Sequence, residues 1–225
     1  MQDPLRGSYD FALTNLASDP GSRGRVFRAI PRGSRVLDVG CDTGRMGEVL
    51  RQELACEVHG IEADPAAAAA ATARLDRVEV RRVDSAHALA DFSGFDVVLF
   101  LDVLEHLYDP WSVLVGAREA LRAGGVVISV VPNIAHISVV RRLLQGRFEY
   151  EAHGTMDRTH VRWFTRRSFA TALHDAGLVD VSVEVLPVVP WLQQIPRVGD
   201  AIADRLGRWL PDQFGGSLIG TARRA

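Results

Sequence analysis

Short apolar runs alternate with helix-like patterns through most of the chain. Five runs are rich in β-branched and large apolar residues and predict strands at 35–39, 57–61, 78–83, 95–101 and 126–131. The intervals between them are long enough for helices, and strands that alternate with helices are typical of βαβ units on a parallel sheet. The pattern therefore predicts an α/β fold built on a doubly wound sheet.

Two of the intervals carry clear helix signals. The first contains an apolar stripe at helical spacing, formed by Met46, Val49, Leu50 and Leu54. The interval before the fifth strand predicts a helix at 111–121, for which Gly124 and Gly125 are the expected stop signal, because glycine readily takes the positive φ that ends a helix.

The chain continues differently after the fifth strand. Residues 133–165 combine a helical stretch with polar turns and are expected to form an insertion on the substrate side of the sheet. Thr165 can cap a helix over 166–176. Further strands are predicted at 179–186 and 217–222, so the sheet is expected to gain a sixth and a seventh strand.

The segment 187–214 has apolar residues at steps of mostly three or four and is expected to form two helices, broken near Pro196 and Gly199. Its apolar face either packs on the sheet or closes the active site. The alternative is a substrate lid or a weak membrane-surface contact, with Arg197, Arg205 and Arg208 on the polar side. With a helical lead-in at 1–33, residues 1–225 are expected to form a single domain.

Composition removes several classes of function. The net charge is −2, which gives no overall basic field for nucleic acid. All 26 basic residues are Arg, so a Schiff-base lysine and a P-loop lysine are excluded. Two cysteines are too few for a disulfide framework. Neither an export signal nor a membrane-spanning run is indicated, and a cytoplasmic location is expected.

The first strand runs directly into a glycine-bearing turn and then into a helix. Gly40 and Gly44 in this turn allow the backbone to approach a ligand closely. Glu62 stands at the end of the next strand, about 20 residues further on, where a carboxylate can accept both hydroxyls of a ribose. Together these features predict a nucleoside site at the carboxyl ends of the strands. The turn is not G-x-G-x-x-G, which disfavours a nicotinamide dehydrogenase.

Five segments, in order, resemble the motifs of the class I S-adenosylmethionine-dependent methyltransferases. They are VLDVGCDTG, GIEAD, RRVDSA, FDVVLFLDVLEHLYDP and LRAGGVVISVVPN. The resemblance implies a Rossmann-like α/β fold with a seven-stranded, mostly parallel sheet, an antiparallel last strand and helices on both faces. It also implies that S-adenosylmethionine is the methyl donor.

The same resemblance assigns cofactor-binding roles. Asp38, Gly40 and Gly44 would line the methionine end, Glu62 would hold the ribose, and Asp84 with Ser85 would face the adenine. The remaining candidates in these motifs are Cys41, Asp42, Ala63 and Leu101. Asp42 departs from the family pattern, which usually has glycine there; its carboxylate would either pair with the cofactor's ammonium or crowd the pocket.

Methyl transfer requires alignment of donor and acceptor and often a base, and two polar clusters contain candidates. Asp102, Glu105 and His106 follow the fourth strand at a spacing that places them on one face of a helical turn. His160 belongs to the second cluster, with Asp157 and Thr159. Either cluster could equally support its local loop.

The spacing D-x-x-E-H with a distant His resembles the E-x-x-E-H metal pattern of small-RNA 2′-O-methyltransferases and, less completely, the ubiquinone-biosynthesis O-methyltransferases. This resemblance implies that Asp102, Glu105, His106 and His160 bind one divalent cation, either Mg, Mn, Fe, Co or Zn. Two imidazoles favour the transition metals over Mg. Without a metal, His160 or His106 is the candidate catalytic base.

The leading hypothesis is an S-adenosylmethionine-dependent methyltransferase that acts on a small molecule, at oxygen, in natural-product or sugar biosynthesis. Transfer to nitrogen or carbon with a His base and no metal is the first alternative. Methylation of RNA is disfavoured by the net charge. A non-catalytic cofactor-binding module would keep Glu62 and Asp84 while making the two polar clusters dispensable. The oligomeric state and the acceptor are not predicted.

Overall fold

The computed structural model describes residues 15–187 and 211–225. The first part of the expected N-terminal lead-in therefore lies outside the described residues. The same holds for 188–210 of the segment 187–214, in which two helices were expected; the end of that segment, Pro211–Phe214, is described and is helical. Among the described helices, none is both long and apolar enough to cross a membrane.

One sheet of seven strands forms the centre of the described part of the chain. The strands are β1 (Arg35–Val39), β2 (Glu57–Glu62), β3 (Arg77–Val80), β4 (Phe95–Leu101), β5 (Leu121–Pro132), β6 (Val179–Pro187) and β7 (Gly215–Arg223). Their order is β3-β2-β1-β4-β5-β7-β6. Neighbours among β1 to β5 are parallel, whereas β7 is antiparallel to both β5 and β6. This confirms the expected Rossmann-like architecture.

Six helices of eight residues or more surround the sheet in the described residues, and a single helical turn, Pro211–Phe214, precedes β7. The six are α1 (Ser22–Ala29), α2 (Arg45–Leu54), α3 (Pro65–Thr72), α4 (Pro110–Ala120), α5 (Ile137–Leu144) and α6 (Arg166–Asp175). Helices α3 and α4 begin with the same N-cap arrangement, an Asp followed by a Pro. Asp64 and Asp109 accept hydrogen bonds from backbone N–H groups of the first turn, and each is followed by a proline that needs no such partner.

Two apolar cores, one on each face of the sheet, hold the helices in place. The first contains Leu37 and Phe100 and joins the sheet to α4 and α6. The second contains Val36 and joins the sheet to α1 and α2 through side chains such as Val26 and Leu50. Because successive strand residues point to opposite faces, the neighbours Val36 and Leu37 supply different cores. The helices therefore cover both faces, as predicted.

The expected helix stop at Gly124 and Gly125 was wrong. Helix α4 ends at Ala120, and β5 begins at once with Leu121. Gly124 has a φ of 73° and donates its N–H to the carbonyl oxygen of Arg224 at 3.0 Å, so the two glycines belong to a ladder with the C-terminal strand. Positive φ suits a strand irregularity as well as a helix end, and the sequence alone does not separate the two.

The third strand is also shorter than predicted. It ends at Val80, and the next residue, Arg81, donates its N–H to the carbonyl oxygen of Glu62, the last residue of β2. Beyond this point β2 offers no further backbone for pairing. Residues 81–85 therefore leave the sheet at its carboxyl edge, and Arg81, Arg82 and Val83 line the cavity described below.

Replacing Thr165 by Ala tests the start of α6, the helix that follows the insertion. The Thr165 hydroxyl accepts from the Ser168 N–H at 3.2 Å, and the Ser168 hydroxyl accepts from the Thr165 N–H at 2.9 Å. Loss of this capping box should lower the free energy of unfolding by about 1 kcal/mol, measured in urea. Thr171→Ala, an exposed position within the same helix, is the matched control. Equal stability of the two variants would contradict the capping role.

Candidate functional site

A cavity of about 500 Å³ opens at the carboxyl ends of β1, β2 and β4. It lies where the strand order reverses between β1 and β4, which is the place where open α/β sheets bind their ligands. Its wall combines the turn after β1, the ends of β2 and β4, part of α1 and the loop at 153–159.

The turn between β1 and α2 brings backbone close to this cavity. Gly40 has a φ of 73°, and a Cβ there would lie 2.6 Å from a methyl group of Val103. Gly44 takes the left-handed conformation at the N-cap of α2, with a φ of 78°. Gly40 thus leaves no room for a side chain, while Gly44 supports the turn without lining the cavity. Asp42 also has positive φ, at 49°, and lines the cavity.

Glu62 at the end of β2 is fixed by backbone hydrogen bonds. One carboxylate oxygen accepts from the Asp42 N–H at 2.9 Å and the other from the Asp64 N–H at 2.8 Å. Each oxygen has a further lone pair, so the carboxylate can still accept hydrogen bonds from two hydroxyl groups. Glu62 lines the cavity, as expected of a ribose-binding carboxylate.

Asp38 lies at the floor of the cavity on β1 and is almost completely buried. Burial raises the pKa of its carboxyl group to about 7, while the guanidinium of Arg23 opposes this rise and the carboxylates of Glu62 and Asp42 add to it. A cationic group bound in the cavity would stabilise the ionised form.

Arg23 on α1 is a site residue that the sequence reasoning missed. Its Nη2 donates to Oδ2 of Asp102 at 2.9 Å, and its buried Nη1 has no hydrogen-bond partner among the described residues. A buried donor of this kind fits a ligand that carries an acceptor, above all a carboxylate. No motif marks Arg23, which is one of 26 basic residues in the chain.

The segment expected to face adenine reaches the cavity just before the two residues named for that role. The cavity wall here includes Ala63, Arg82 and Val83, and Leu101 and Cys41 also line the cavity. Asp84 and Ser85 follow Val83 directly but lie outside the lining, and Asp84 is exposed.

A second group of polar side chains lies beside the cavity. Glu105, His106 and His160 each offer one ligand atom, and these atoms lie within 4.8 Å of one another. Glu105 is only 2% exposed, and neither of its carboxylate oxygens has a hydrogen-bond partner among the described residues. Burial, and then the nearby Asp102 carboxylate, raise the pKa of Glu105 well above its ordinary value.

Both imidazole rings are oriented by backbone carbonyls. The Nδ1 atom of His106 lies 3.2 Å from the Thr159 carbonyl oxygen, and that of His160 lies 3.1 Å from the Thr155 carbonyl oxygen. A carbonyl only accepts, so each Nδ1 carries the hydrogen and each neutral ring keeps a lone pair on Nε2. Burial, and then the neighbouring His160, lower the pKa of His106, which favours the neutral ring.

The loop that supplies these carbonyls is held by Asp157. Its Oδ1 accepts from the N–H of Thr159 at 2.8 Å and from the hydroxyl of Thr159 at 2.7 Å. Asp157 is buried and lines the cavity with Thr159 and His153. The insertion thus reaches the cavity at the end where His106 lines it.

Asp102 lies near Glu105, His106 and His160 but is not one of the residues whose ligand atoms cluster. It follows β4 with a φ of 59°, and its carboxylate forms the ion pair with Arg23 described above. Of the four residues expected to bind a cation, the structure therefore brings together Glu105, His106 and His160, whereas the Asp102 carboxylate pairs with Arg23 at the cavity wall.

Three comparisons with known proteins find similarity to methyltransferases. A family model described as a methyltransferase domain matches residues 17–183. The ubiquinone biosynthesis O-methyltransferase of Cereibacter sphaeroides is 34% identical over 105 residues, which are 45% of this chain and 42% of that protein. That of Dinoroseobacter shibae is 27% identical over 202 residues, 86% of this chain and 78% of that protein.

The fold has a counterpart among solved structures. A SAM-dependent methyltransferase from Archaeoglobus fulgidus superposes with a TM-score of 0.64 at 19% identity, covering 90% of this chain and 95% of that one. The family match extends over most of the chain, from just before α1 into β6. The chain therefore belongs to the class I S-adenosylmethionine-dependent methyltransferases.

Proposed function

We propose that this chain transfers the methyl group of S-adenosylmethionine to an oxygen atom of a small-molecule acceptor. The observation that carries the proposal is that Glu62 and His106 line the same cavity. A nucleoside-binding carboxylate and a proton-accepting ring are thus joined by one space of about 500 Å³. The spacing of the D-x-x-E-H residues and the names of the relatives favour oxygen as the acceptor atom.

The cofactor fits the residues at one end of this cavity. Glu62 holds the ribose hydroxyls, and Ala63 and Val83 form part of the wall on the adenine side. At the other end of the cofactor, the ionised Asp38 pairs with the ammonium group, and the unpartnered Nη1 of Arg23 donates to the carboxylate. These contacts fix the donor, because both charged groups of the amino acid have an oppositely charged partner.

The acceptor enters from the side of the insertion. His153, Asp157 and Thr159 line this side with His106, which supports the expectation that 133–165 is a substrate-side insertion. Alignment alone supplies roughly 7–11 kcal/mol of rate enhancement in well-oriented reactions. The acceptor oxygen bonds to the methyl carbon as the carbon–sulfur bond breaks, which leaves S-adenosylhomocysteine. The acceptor's proton passes to Nε2 of His106 when no cation uses that lone pair, and to solvent when the acceptor hydroxyl is bound to a cation.

We further propose that Glu105, His106 and His160 bind one divalent cation. Two imidazole rings whose Nδ1 atoms are tied to backbone carbonyls match the usual arrangement of metal-binding histidines. The unpartnered carboxylate of Glu105 would supply the charge. Two nitrogens and one oxygen suit Mn, Fe, Co or Zn better than Mg. A bound cation would lower the pKa of a coordinated acceptor hydroxyl.

Replacing Glu62 by Gln should weaken binding of S-adenosylhomocysteine by about tenfold or more. The amide keeps one acceptor oxygen but loses a charge-assisted bond to the ribose, worth about 1.5–3 kcal/mol. Titration calorimetry measures the change. Glu53→Gln, at an exposed position on α2, is the matched control and should bind as the wild type does. Undiminished affinity of the Glu62 variant would remove Glu62 from the nucleoside site.

The affinity for S-adenosylhomocysteine should rise with pH through about 7. Below this value the Asp38 carboxyl is largely protonated and cannot pair with the ligand's ammonium, and above it the carboxylate is ionised. The ionised fraction changes about tenfold from about pH 6 to 8, and the affinity should follow. Calorimetry at both pH values provides the measurement. Asp38→Asn should flatten the profile; an equally steep profile in that variant would assign the dependence to another group.

Replacing His160 by Ala should lower the affinity for Co²⁺ by at least about tenfold, because it removes one of three ligands. His174→Ala, an exposed histidine on α6, should leave Co²⁺ binding unchanged. Methyl transfer by the wild type should be lost with a chelator and return with added metal. If the chelator and the His160 variant both leave turnover unchanged, the cation is not needed, and His106 acts as a base alone.

A further inference from the structure

We propose that Asp102 is a positioning residue for Arg23, and that it holds the guanidinium in place to receive the carboxylate of the cofactor instead of binding the cation. The inference rests on the proposed function, since it assumes that the cofactor occupies the cavity. It assigns Asp102 to the donor side of the reaction, whereas the spacing of the sequence groups it with Glu105 and His106.

The two ends of the Arg23 guanidinium differ. Nη2 is engaged with Asp102 at 2.9 Å, whereas Nη1 is buried and has no partner among the described residues. A guanidinium is planar and rigid, so an ion pair at one nitrogen fixes the direction of the other. Because Arg23 lines the cavity, its unpartnered end is a preformed donor for an anionic group bound there.

The Asp102 side of the pair is anchored to the sheet. Asp102 directly follows β4, and its N–H donates to the Val130 carbonyl oxygen on β5 at 3.0 Å. Its φ of 59° is a left-handed conformation that Asp tolerates better than most residues with a Cβ. The carboxylate is therefore held by the rigid centre of the fold, while Arg23 comes from α1 on one face of the sheet. The ion pair ties the helix to the strand end.

Arg23 needs a fixed partner because a second carboxylate, that of Asp38, lies within reach of its charge. Asp38 also lines the cavity, and the Arg23 charge acts on it strongly enough to oppose the rise of its pKa. Without Asp102, the guanidinium is free to turn to Asp38, which would occupy both the donor for the cofactor's carboxylate and the acceptor for its ammonium. Conversely, transfer of Asp102 to a cation would leave the partly buried Arg23 without its ion-pair partner.

The test compares two ligands that differ in the amino-acid part. Asp102→Asn should weaken binding of S-adenosylhomocysteine by roughly tenfold, the effect of losing one oriented charge-assisted bond. It should leave binding of 5′-methylthioadenosine unchanged, because that nucleoside has neither the carboxylate nor the ammonium. Calorimetry at fixed pH measures both. Arg23→Gln should likewise weaken binding of S-adenosylhomocysteine and leave binding of 5′-methylthioadenosine unchanged. The double variant should bind S-adenosylhomocysteine no more weakly than Arg23→Gln alone, since the two residues act as one unit.

Asp96→Asn is the matched control. Asp96 also pairs with an arginine, Arg122, but it lies at the start of β4, at the opposite end of this strand from the cavity. This variant should bind both ligands as the wild type does. Co²⁺ affinity measured on the Asp102 variant should equal that of the wild type, because the proposal leaves the cation to the other three residues.

Three results would overturn the inference. An equal loss of affinity for both ligands would mean that Asp102 only maintains the shape of the cavity. Undiminished binding of S-adenosylhomocysteine would mean that Arg23 needs no orientation. Loss of Co²⁺ binding would make Asp102 a metal ligand. Failure of the proposed function itself gives a separate result, since the wild-type protein would then bind neither S-adenosylhomocysteine nor 5′-methylthioadenosine.

Discussion

The carboxylate of Glu62 ties together the two turns on which the nucleoside site is built. By accepting from the N–H groups of Asp42 and Asp64, it joins the loop after β1 to the loop after β2. The N–H groups of Gly40 and Cys41 also join the first loop to β2 by donating to the Ile61 carbonyl oxygen, and the Glu62 carboxylate extends this connection to the loop after β2. Glycine at position 40 then lets the backbone come close to the ligand. In the proposed function, the residue that recognises the ribose therefore also helps to build the pocket that contains it.

The second group of polar side chains is constrained by burial, since its carboxylate has no hydrogen-bond partner among the described residues. Glu105, His106 and His160 bring a buried carboxylate and two oriented rings into one small volume. Such an arrangement is unfavourable unless a proton or a cation compensates the buried charge. The insertion contributes to it through the Thr155 and Thr159 carbonyls, which orient the rings. In the proposed function, the sheet thus supplies the cofactor site, and the loop supplies the part that meets the acceptor.

Much of the fold could be predicted from local patterns in the sequence. The apolar runs predicted the strands, and Thr165 predicted where α6 begins. Both features depend on residues that are close together in the sequence. The end of α4 was predicted to within one residue, but the role of Gly124 could not be predicted, since this glycine serves a strand irregularity that depends on the distant Arg224. Arg23 was missed for the same reason: its partner Asp102 lies 79 residues away. Sequence spacing grouped Asp102 with Glu105, whereas the structure places its carboxylate on the Arg23 side of the cavity.

A crystal structure of the protein with S-adenosylhomocysteine tests the central claim most directly. The account predicts that the ribose hydroxyls lie within hydrogen-bond distance of the Glu62 carboxylate, with the thioether sulfur on the side of the cavity that His106 lines. Ligand density elsewhere on the protein, or a ribose bound away from Glu62, would contradict it.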